Sequence, residues 1–524
     1  MPISTKREDL LRQAGAAGEW DYIVVGGGAT GLGTALEAVS RGYRTLLLEA
    51  QDFAKATSSR STKLVHGGVR YLQQGNVKLV LEALRERGRM LRNAPHLAHR
   101  QAFIVPAYSI LELPFYGAGL TLYDLLAGKE GLGRSRILSR QSTVEALPGV
   151  KAGGLHGGIL YYDGQFDDAR FAIALLRTFI NLGGVAVNYL PVTSLLKNNG
   201  LVNGVTAKDG ESARQIEARA KLVVNATGIF SDDLRHMDEP QAKPMLTVSQ
   251  GTHFVLPRGF LPGQAALMIP KTSDGRVLFA IPWHDRVVVG TTDSPVPTPQ
   301  YEPRALEQEQ IFLAANIQRF LGSRPKPAEV RSMWSGQRPL VRQPDKSSTA
   351  AISRDHTVLI SRSKLVTITG GKWTTYRKMA QDVIDRTIQI AGLPFSKSVT
   401  ADLKLHGWTS GFSRNGDWSQ VYGSDLPDLN RLAENNPELD EPLHPGLPFR
   451  KAEVVWAATQ EMARTVEDVL ARRTRALFLD ARASLEAAPE VARLTAETLG
   501  RDAQWQAEQV KAFRSVAQDY IWNG

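Results

Sequence analysis

Gly26, Gly28 and Gly31 stand at the spacing G-x-G-x-x-G, and an acid, Glu49, closes the next apolar run. In a dinucleotide-binding βαβ unit each of these residues has its own task. Gly26 makes the tight turn, Gly28 lets the pyrophosphate approach, and Gly31 lets helix and strand pack closely. The helix N-terminus then offers N–H groups and partial positive charge to the diphosphate. Glu49 stands where a carboxylate takes the ribose hydroxyls. The elements that must position these residues are legible around them. Asp21 to Val25 is a short β-branched run suited to one buried strand, and Thr45 to Leu48 is a second. A plain glycine turn between strand and helix leaves Glu49 unexplained.

The polar loop Thr57 to Lys63 offers the hydroxyls of Ser58, Ser59 and Thr62. Leu64, Val65, His66, Gly67 and Gly68 follow it. The loop suits the lining of a diphosphate and a flavin, the glycine pair allowing close approach to a flat ring. A solvated Ser/Thr-rich connection is the competing reading of the same residues. Two further small-residue turns end strand-like runs, one at Ala226, Thr227 and Gly228, the other at Gly370 and Gly371 before Lys372 and Thr374. Turns at strand carboxyl ends suit the nucleotide crevice. Only one G-x-G-x-x-G is present, so the enzyme is expected to take electrons directly from its substrate.

Composition narrows the classes. The 524 residues allow two or three domains, and the 43% apolar content is that of a globular protein. Cysteine is absent, which excludes disulfides, cysteine-held zinc or iron–sulfur clusters and a cysteinyl flavin. The net charge of +10 calls for an anionic partner: a phosphorylated substrate, an acidic membrane surface or nucleic acid. Nucleic acid is the least supported, because no basic tail or nucleic-acid motif is visible. Met1 to Glu19 lacks the apolar core of a secretory signal, and no run approaches the length of a spanning helix.

Along the chain, a helix is expected from Asn76 to Asn93, then strands through the aromatic, proline-punctuated stretch from Gln101 to Tyr123. A helix opening in the segment Tyr161 to Arg170 is expected to end near Asn181, followed by a hairpin over Val202–Ala207 and Ser212–Ala218. Strands of a second domain run from Val248 to Thr292, with a helix near Leu306 to Leu321. Beyond Pro394 the sequence is mostly helical. The expected fold is α/β: a Rossmann-type FAD-binding domain (20–95, 160–245 and 340–392), an antiparallel-sheet substrate domain (96–159 and 246–339), and a separate C-terminal α-helical domain (395–524). Glu467, Asp468, Arg472, Arg473 and Arg475 read as helix-surface ion pairs of little individual worth.

The chain resembles the FAD-dependent glycerol-3-phosphate dehydrogenases from about Trp20 to near Asp480. The matching pieces are Gly26 to Gly31, Thr57 to Tyr71, Asp167 to Arg170, Ile281 to Trp283 with Gly290 to Asp293, Ser335 to Leu340, Gly370 to Arg377 and Thr465 to Arg475. Gln337 departs from the small apolar residue expected there. No calcium-loop spacing is present, and no metal is expected.

The resemblance implies a fold, a cofactor and a site. It places His66, Arg70, Tyr71, Arg338, Arg354 and Lys372 around flavin and substrate. Guanidinium groups hold a phosphomonoester bidentately, which assigns Arg338 and Arg354 to the phosphate and Arg70 and Lys372 to the carbinol end. His66 can accept the hydroxyl proton, or serve as an orienting partner, because its ordinary pKa lies near neutrality. The implied reaction is oxidation of sn-glycerol 3-phosphate to dihydroxyacetone phosphate, with hydride from C2 to flavin N5 and electrons passed to a membrane quinone. Peripheral attachment to an anionic membrane surface, on the cytoplasmic face of a bacterial inner membrane, goes with that acceptor, and a homodimer is admitted. The competing readings are an oxidase using O2, a flavin amine oxidase of the same fold, and a non-catalytic protein carrying FAD.

Overall fold

The computed structural model describes residues 6–16, 18–69, 72, 75–272, 274–342, 356–410 and 417–524. In chain order the elements that frame the site begin with β1 (Glu19–Val25), α1 (Ala29–Ser40) and β2 (Thr45–Leu48). Next come α2 (Val77–Asn93), β3 (Ala98–Ala107), α3 (Glu112–Ala127), β4 (Gly157–Phe166) and α4 (Asp168–Asn181). They are followed by β5 (Gln215–Asn225), β6 (Leu246–Pro257), β7 (Ser332–Val341), β8 (Val366–Gly370) and α5 (Tyr376–Thr387).

Two sheets carry the chain. The first runs His356–Ile360, β8, β5, β1, β2, Val185–Val187, and its four central strands pair in parallel. A hairpin, Val192–Asn198 and Leu201–Lys208, extends β5. Val24, Leu46, Leu47 and Val224 are fully buried, as expected where helices cover a parallel sheet. Among the described residues the second sheet has ten strands and is mainly antiparallel. In it β6 lies toward one end and β3 and β4 toward the other, and the strands Arg286–Gly290, Leu278–Trp283 and Ala266–Ile269 run between them. Along its whole length β7 pairs to β6. The α/β fold expected from sequence is therefore present.

Three local expectations are corrected. The stretch from Gln101 to Tyr123 is strand only to Ala107, after which α3 begins at Glu112. Apolar residues recur at helical spacing (Leu111, Phe115, Ala118, Leu122, Leu125), and Pro114 falls in the first turn, where its missing N–H costs little. The segment from Tyr161 is strand, not helix, up to Phe166. There the side chain of Asp167 accepts from the Arg170 N–H at 3.2 Å and starts α4. Sheet membership thus carries the second sheet past the expected junction at 160, to Phe166.

The third correction concerns the C-terminal region. It is helical, with helices at Leu426–Asn435, Lys451–Gln460, Ala481–Leu499 and Ala503–Gln518. The helical C-terminal domain is present as expected, and its apolar core takes in Val255, Trp283, Val288 and Trp334 of the second sheet. Its charged stretch, however, is not a solvated surface. Arg472, Arg473 and Arg475 are among the largest fully buried side chains, and each pairs with a carboxylate from an earlier segment.

Candidate active site

The glycine turn between β1 and α1 is built by close approach. Gly26 has φ +110, and a Cβ there would lie 2.5 Å from the Ala226 carbonyl oxygen of the neighbouring turn. A Cβ on Gly31 would lie 1.7 Å from the Gly26 oxygen. No side chain fits at either place, so turn, helix and β5 are locked together.

Around this turn opens a cleft of about 1010 Å³. It is lined by Gly26, Gly28, Glu49, Ser58, Ala226, Thr227, Gly228, Gly370, Gly371 and Lys372, which brings ten of the sequence-predicted positions into one cavity. The Gly27 N–H donates to Glu49 Oε2 at 2.5 Å, and the Gln51 N–H donates to Oε1 at 2.8 Å. Burial raises the Glu49 carboxyl above its usual range, and these two donors moderate the rise. The Ala29 N–H donates to Ser58 Oγ at 2.9 Å, so the polar loop sits against the α1 N-terminus.

The remaining predicted residues lie around the cleft. Ser59 is buried, and among the described residues its hydroxyl has no hydrogen-bond partner. The Thr62 hydroxyl pairs with His253 Nε2 at 3.0 Å, which turns it toward the second sheet. Thr374 is buried and its hydroxyl reaches the His66 carbonyl at 3.5 Å. His66 is half-buried where the chain leaves strand Leu64–Val65. Gly67 beside it donates its N–H to the Tyr123 hydroxyl at 2.7 Å, and Tyr123 donates to Asp163 at 2.8 Å. Arg338, on β7, donates to Thr291 Oγ1 at 3.1 Å and lies 3.6 Å from Asp293. Its neighbour Pro339 lines the cleft. Arg70, Tyr71 and Arg354 lie outside the described residues.

Several residues escaped the sequence reading. His253 is buried, stacks on Trp334 at 4.0 Å, and is held well below its usual pKa by burial and by the nearby charges of Arg338 and Lys63. It is neutral at physiological pH. A lone histidine in an apolar strand gives no signal of its own. Phe230 and Tyr301 stack at 4.3 Å in the cleft wall, although they are far apart in sequence. Trp373 donates its indole N–H to the Ser58 carbonyl at 2.9 Å and packs edge-on against Phe166 and Phe171. Gln337, odd from sequence, is buried and accepts from the Gln300 N–H at 2.8 Å, so it fastens the loop that carries Tyr301.

This architecture fits a dinucleotide. A helix N-terminus opens on the cleft through Gly28, Ala29 and Thr30, a carboxylate stands at the end of β2, and small residues line the opposite wall. At Gly28 a Cβ would come within 3.0 Å of Ser58 Oγ, so a side chain would intrude into that cradle.

Comparison with known proteins agrees with the geometry. The family profile described as FAD dependent oxidoreductase matches residues 21–377, and that of the C-terminal domain of alpha-glycerophosphate oxidase matches residues 361–507. The mitochondrial glycerol-3-phosphate dehydrogenase of Homo sapiens is 38% identical over 542 residues, covering 97% of this chain and 74% of the relative. A probable mitochondrial glycerol-3-phosphate dehydrogenase of Caenorhabditis elegans is 37% identical over 546 residues, covering 98% and 75%. Among solved structures, glycerol-3-phosphate dehydrogenase from Bacillus halodurans complexed with FAD superposes with a TM-score of 0.81 at 28% identity, covering 100% of this chain and 99% of that one. The FAD-bound L-alpha-glycerophosphate oxidase of Mycoplasma pneumoniae shares the fold, with a TM-score of 0.56 at 15% identity over 74% of this chain and 98% of that one. With a glycine turn, acid and second glycine crossing gathered on one cleft, and relatives matched over nearly its whole length, the chain belongs to the FAD-dependent glycerol-3-phosphate dehydrogenase family.

Proposed function

We propose that the protein oxidises sn-glycerol 3-phosphate to dihydroxyacetone phosphate and delivers the electrons to a membrane quinone. The observation that carries the reading is Lys372 in the wall of the FAD cleft, with Arg338 on β7, the strand whose Pro339 also lines that cleft. FAD, held by the cleft residues Gly26, Gly28, Glu49 and Ser58, would supply a two-electron hydride acceptor.

This chain's own residues bind the substrate and handle the proton. Arg338 and Arg354 hold the phosphate dianion by charge-assisted hydrogen bonds. Thr291 orients the Arg338 guanidinium, and Asp293 keeps it paired. Lys372, Arg70 and Tyr71 serve the carbinol end. His66 accepts the hydroxyl proton as the hydride leaves C2, its backbone steadied by Thr374 and by the Gly67–Tyr123 hydrogen bond. The test is the Arg338→Ala variant, assayed with glycerol 3-phosphate and with glycerol.

A quinone acceptor requires contact with lipid, and the outer face of α3 suits it. Leu111 is 76% exposed, Phe115 62%, Leu122 47% and Leu125 74%, and Ile110 and Ile137 add to the patch. Lys129, Arg134, Arg136 and Arg140, in the segment that follows α3 and runs back beside it, are exposed. The two acids of α3 turn away, Glu112 accepting from Tyr108 and Ser109 N–H groups and Asp124 from the Ser135 N–H. An apolar stripe with a cationic rim fits an anionic lipid surface, to which each cation contributes about 1 kcal/mol. Among the described residues no helix is long and apolar enough to cross a membrane. We therefore assign α3 to peripheral docking, on the cytoplasmic face of a bacterial inner membrane.

A further inference from the structure

The wall of the FAD cleft that follows β2 is fastened by the C-terminal region. Segment 49–58 supplies Glu49, Ala50, Lys55 and Ser58 to the cleft. It touches the glycine turn at three points. Glu49 accepts from the Gly27 N–H, the Ala54 N–H donates to the Gly27 carbonyl at 3.0 Å, and Ser58 accepts from the Ala29 N–H. Between the first two lies Asp52, which is fully buried.

The Asp52 carboxylate takes two guanidinium groups from far along the chain. Arg473 donates through Nη1 at 2.6 Å and Nη2 at 2.8 Å, and Arg472 donates through Nε at 2.5 Å. Burial alone would raise this carboxyl, but the two arginines outweigh it and hold it well below the usual carboxylate range. Arg472 reaches on to Glu467 and Asp468 at 2.8 and 2.7 Å, and Lys55, in the cleft wall, donates to the other oxygen of Glu467 at 2.8 Å. Ala54, two residues after Asp52, has φ +63, a conformation that a non-glycine residue keeps only where its surroundings impose it.

We propose that Asp52 is a positioning residue for FAD, and that Arg472 and Arg473 make the C-terminal region part of the cofactor site. The clamp keeps Ala54 and Glu49 in register with Gly27, so the wall stands ready before the cofactor arrives. No contact between Asp52 and the cofactor is needed. Binding then costs less ordering of the segment, which appears as affinity.

The test is FAD binding to apoprotein, followed by quenching of flavin fluorescence, beside circular dichroism and melting of apo and FAD-loaded protein. Asp52→Asn should raise the FAD Kd at least tenfold and shrink the rise in Tm that FAD produces. A merely structural role would lower both melting temperatures equally and leave Kd within twofold of wild type, which would overturn the proposal. Removing a buried carboxylate leaves two arginines uncompensated, so this variant can fail to fold. Arg473→Lys then decides, since it keeps a cation beside Asp52 but loses the two-point guanidinium contact, at a residue that does not line the cleft. A three- to tenfold rise in Kd with unchanged apoprotein dichroism supports the proposal, and an unchanged Kd contradicts it.

Discussion

Trp373 and Ser58 meet across the FAD cleft, the indole N–H donating to the Ser58 carbonyl at 2.9 Å. The bond ties the loop after β2 to the glycine turn after β8, on opposite sides of β1 in the sheet order. Ser58 uses its side chain to hold the α1 N-terminus, so one residue links both glycine crossings.

Replacing Trp373 with Phe keeps the edge-on packing against Phe166 and Phe171 but deletes this donor. The Ser58 carbonyl loses a hydrogen bond worth about 1 kcal/mol. The expected result is FAD binding weakened by roughly fivefold with little change in apoprotein melting, read by flavin fluorescence titration.

If Arg338 holds the phosphate as proposed, Arg338→Ala removes a charge-assisted contact worth about 2–3 kcal/mol. For glycerol 3-phosphate, kcat/KM should fall roughly thirty- to a hundred-and-fifty-fold, while turnover of glycerol stays near its low starting level. Equal losses for both substrates would place Arg338 away from the phosphate.

How much of this was readable beforehand depends on the range of each interaction. Gly26, Gly28, Gly31 and Glu49 lie within a single βαβ unit, where spacing alone dictates geometry, and all but Gly31 line the cleft. Thr227 and Gly370 were legible because small residues ended β-branched runs. Arg472 and Arg473 were misread because a basic helix with nearby acids looks the same whether solvated or buried. Only the fold brings Asp52 to them. His253 and Tyr301 failed for a similar reason, since each owes its role to a partner distant in sequence. The helix α3 was misjudged because its aromatic, proline-punctuated composition suggests strand, while its apolar spacing is helical.

Acid should loosen the C-terminal clamp. Asp52 and Glu467 have pKa values lowered in the fold, Glu467 to about 2, where Arg472 and Lys55 outweigh burial. A lowered folded-state value gives stability that is present above the unfolded value of about 4 and lost as pH falls through the folded one. Flavin fluorescence should therefore report FAD retained down to about pH 4 and released as pH drops toward about 2. Release only on the alkaline side would contradict the assignment.

Docking through α3 predicts a selective defect. Phe115→Glu combined with Leu125→Glu places charges on the outward stripe. Flotation with anionic vesicles should lose most of the bound protein, while activity with a soluble acceptor stays near wild type. High salt should release the unmodified protein only in part, because insertion of apolar side chains is not screened.

The central claim is tested most directly by one anaerobic titration of the FAD-loaded protein with glycerol 3-phosphate, watching the oxidised flavin absorbance, then adding a quinone analogue or air. The account predicts stoichiometric bleaching by the substrate and faster return of the absorbance with quinone than with air. A flavin that stays oxidised in excess glycerol 3-phosphate would contradict the proposed reaction, and faster return with air would assign the electrons to oxygen.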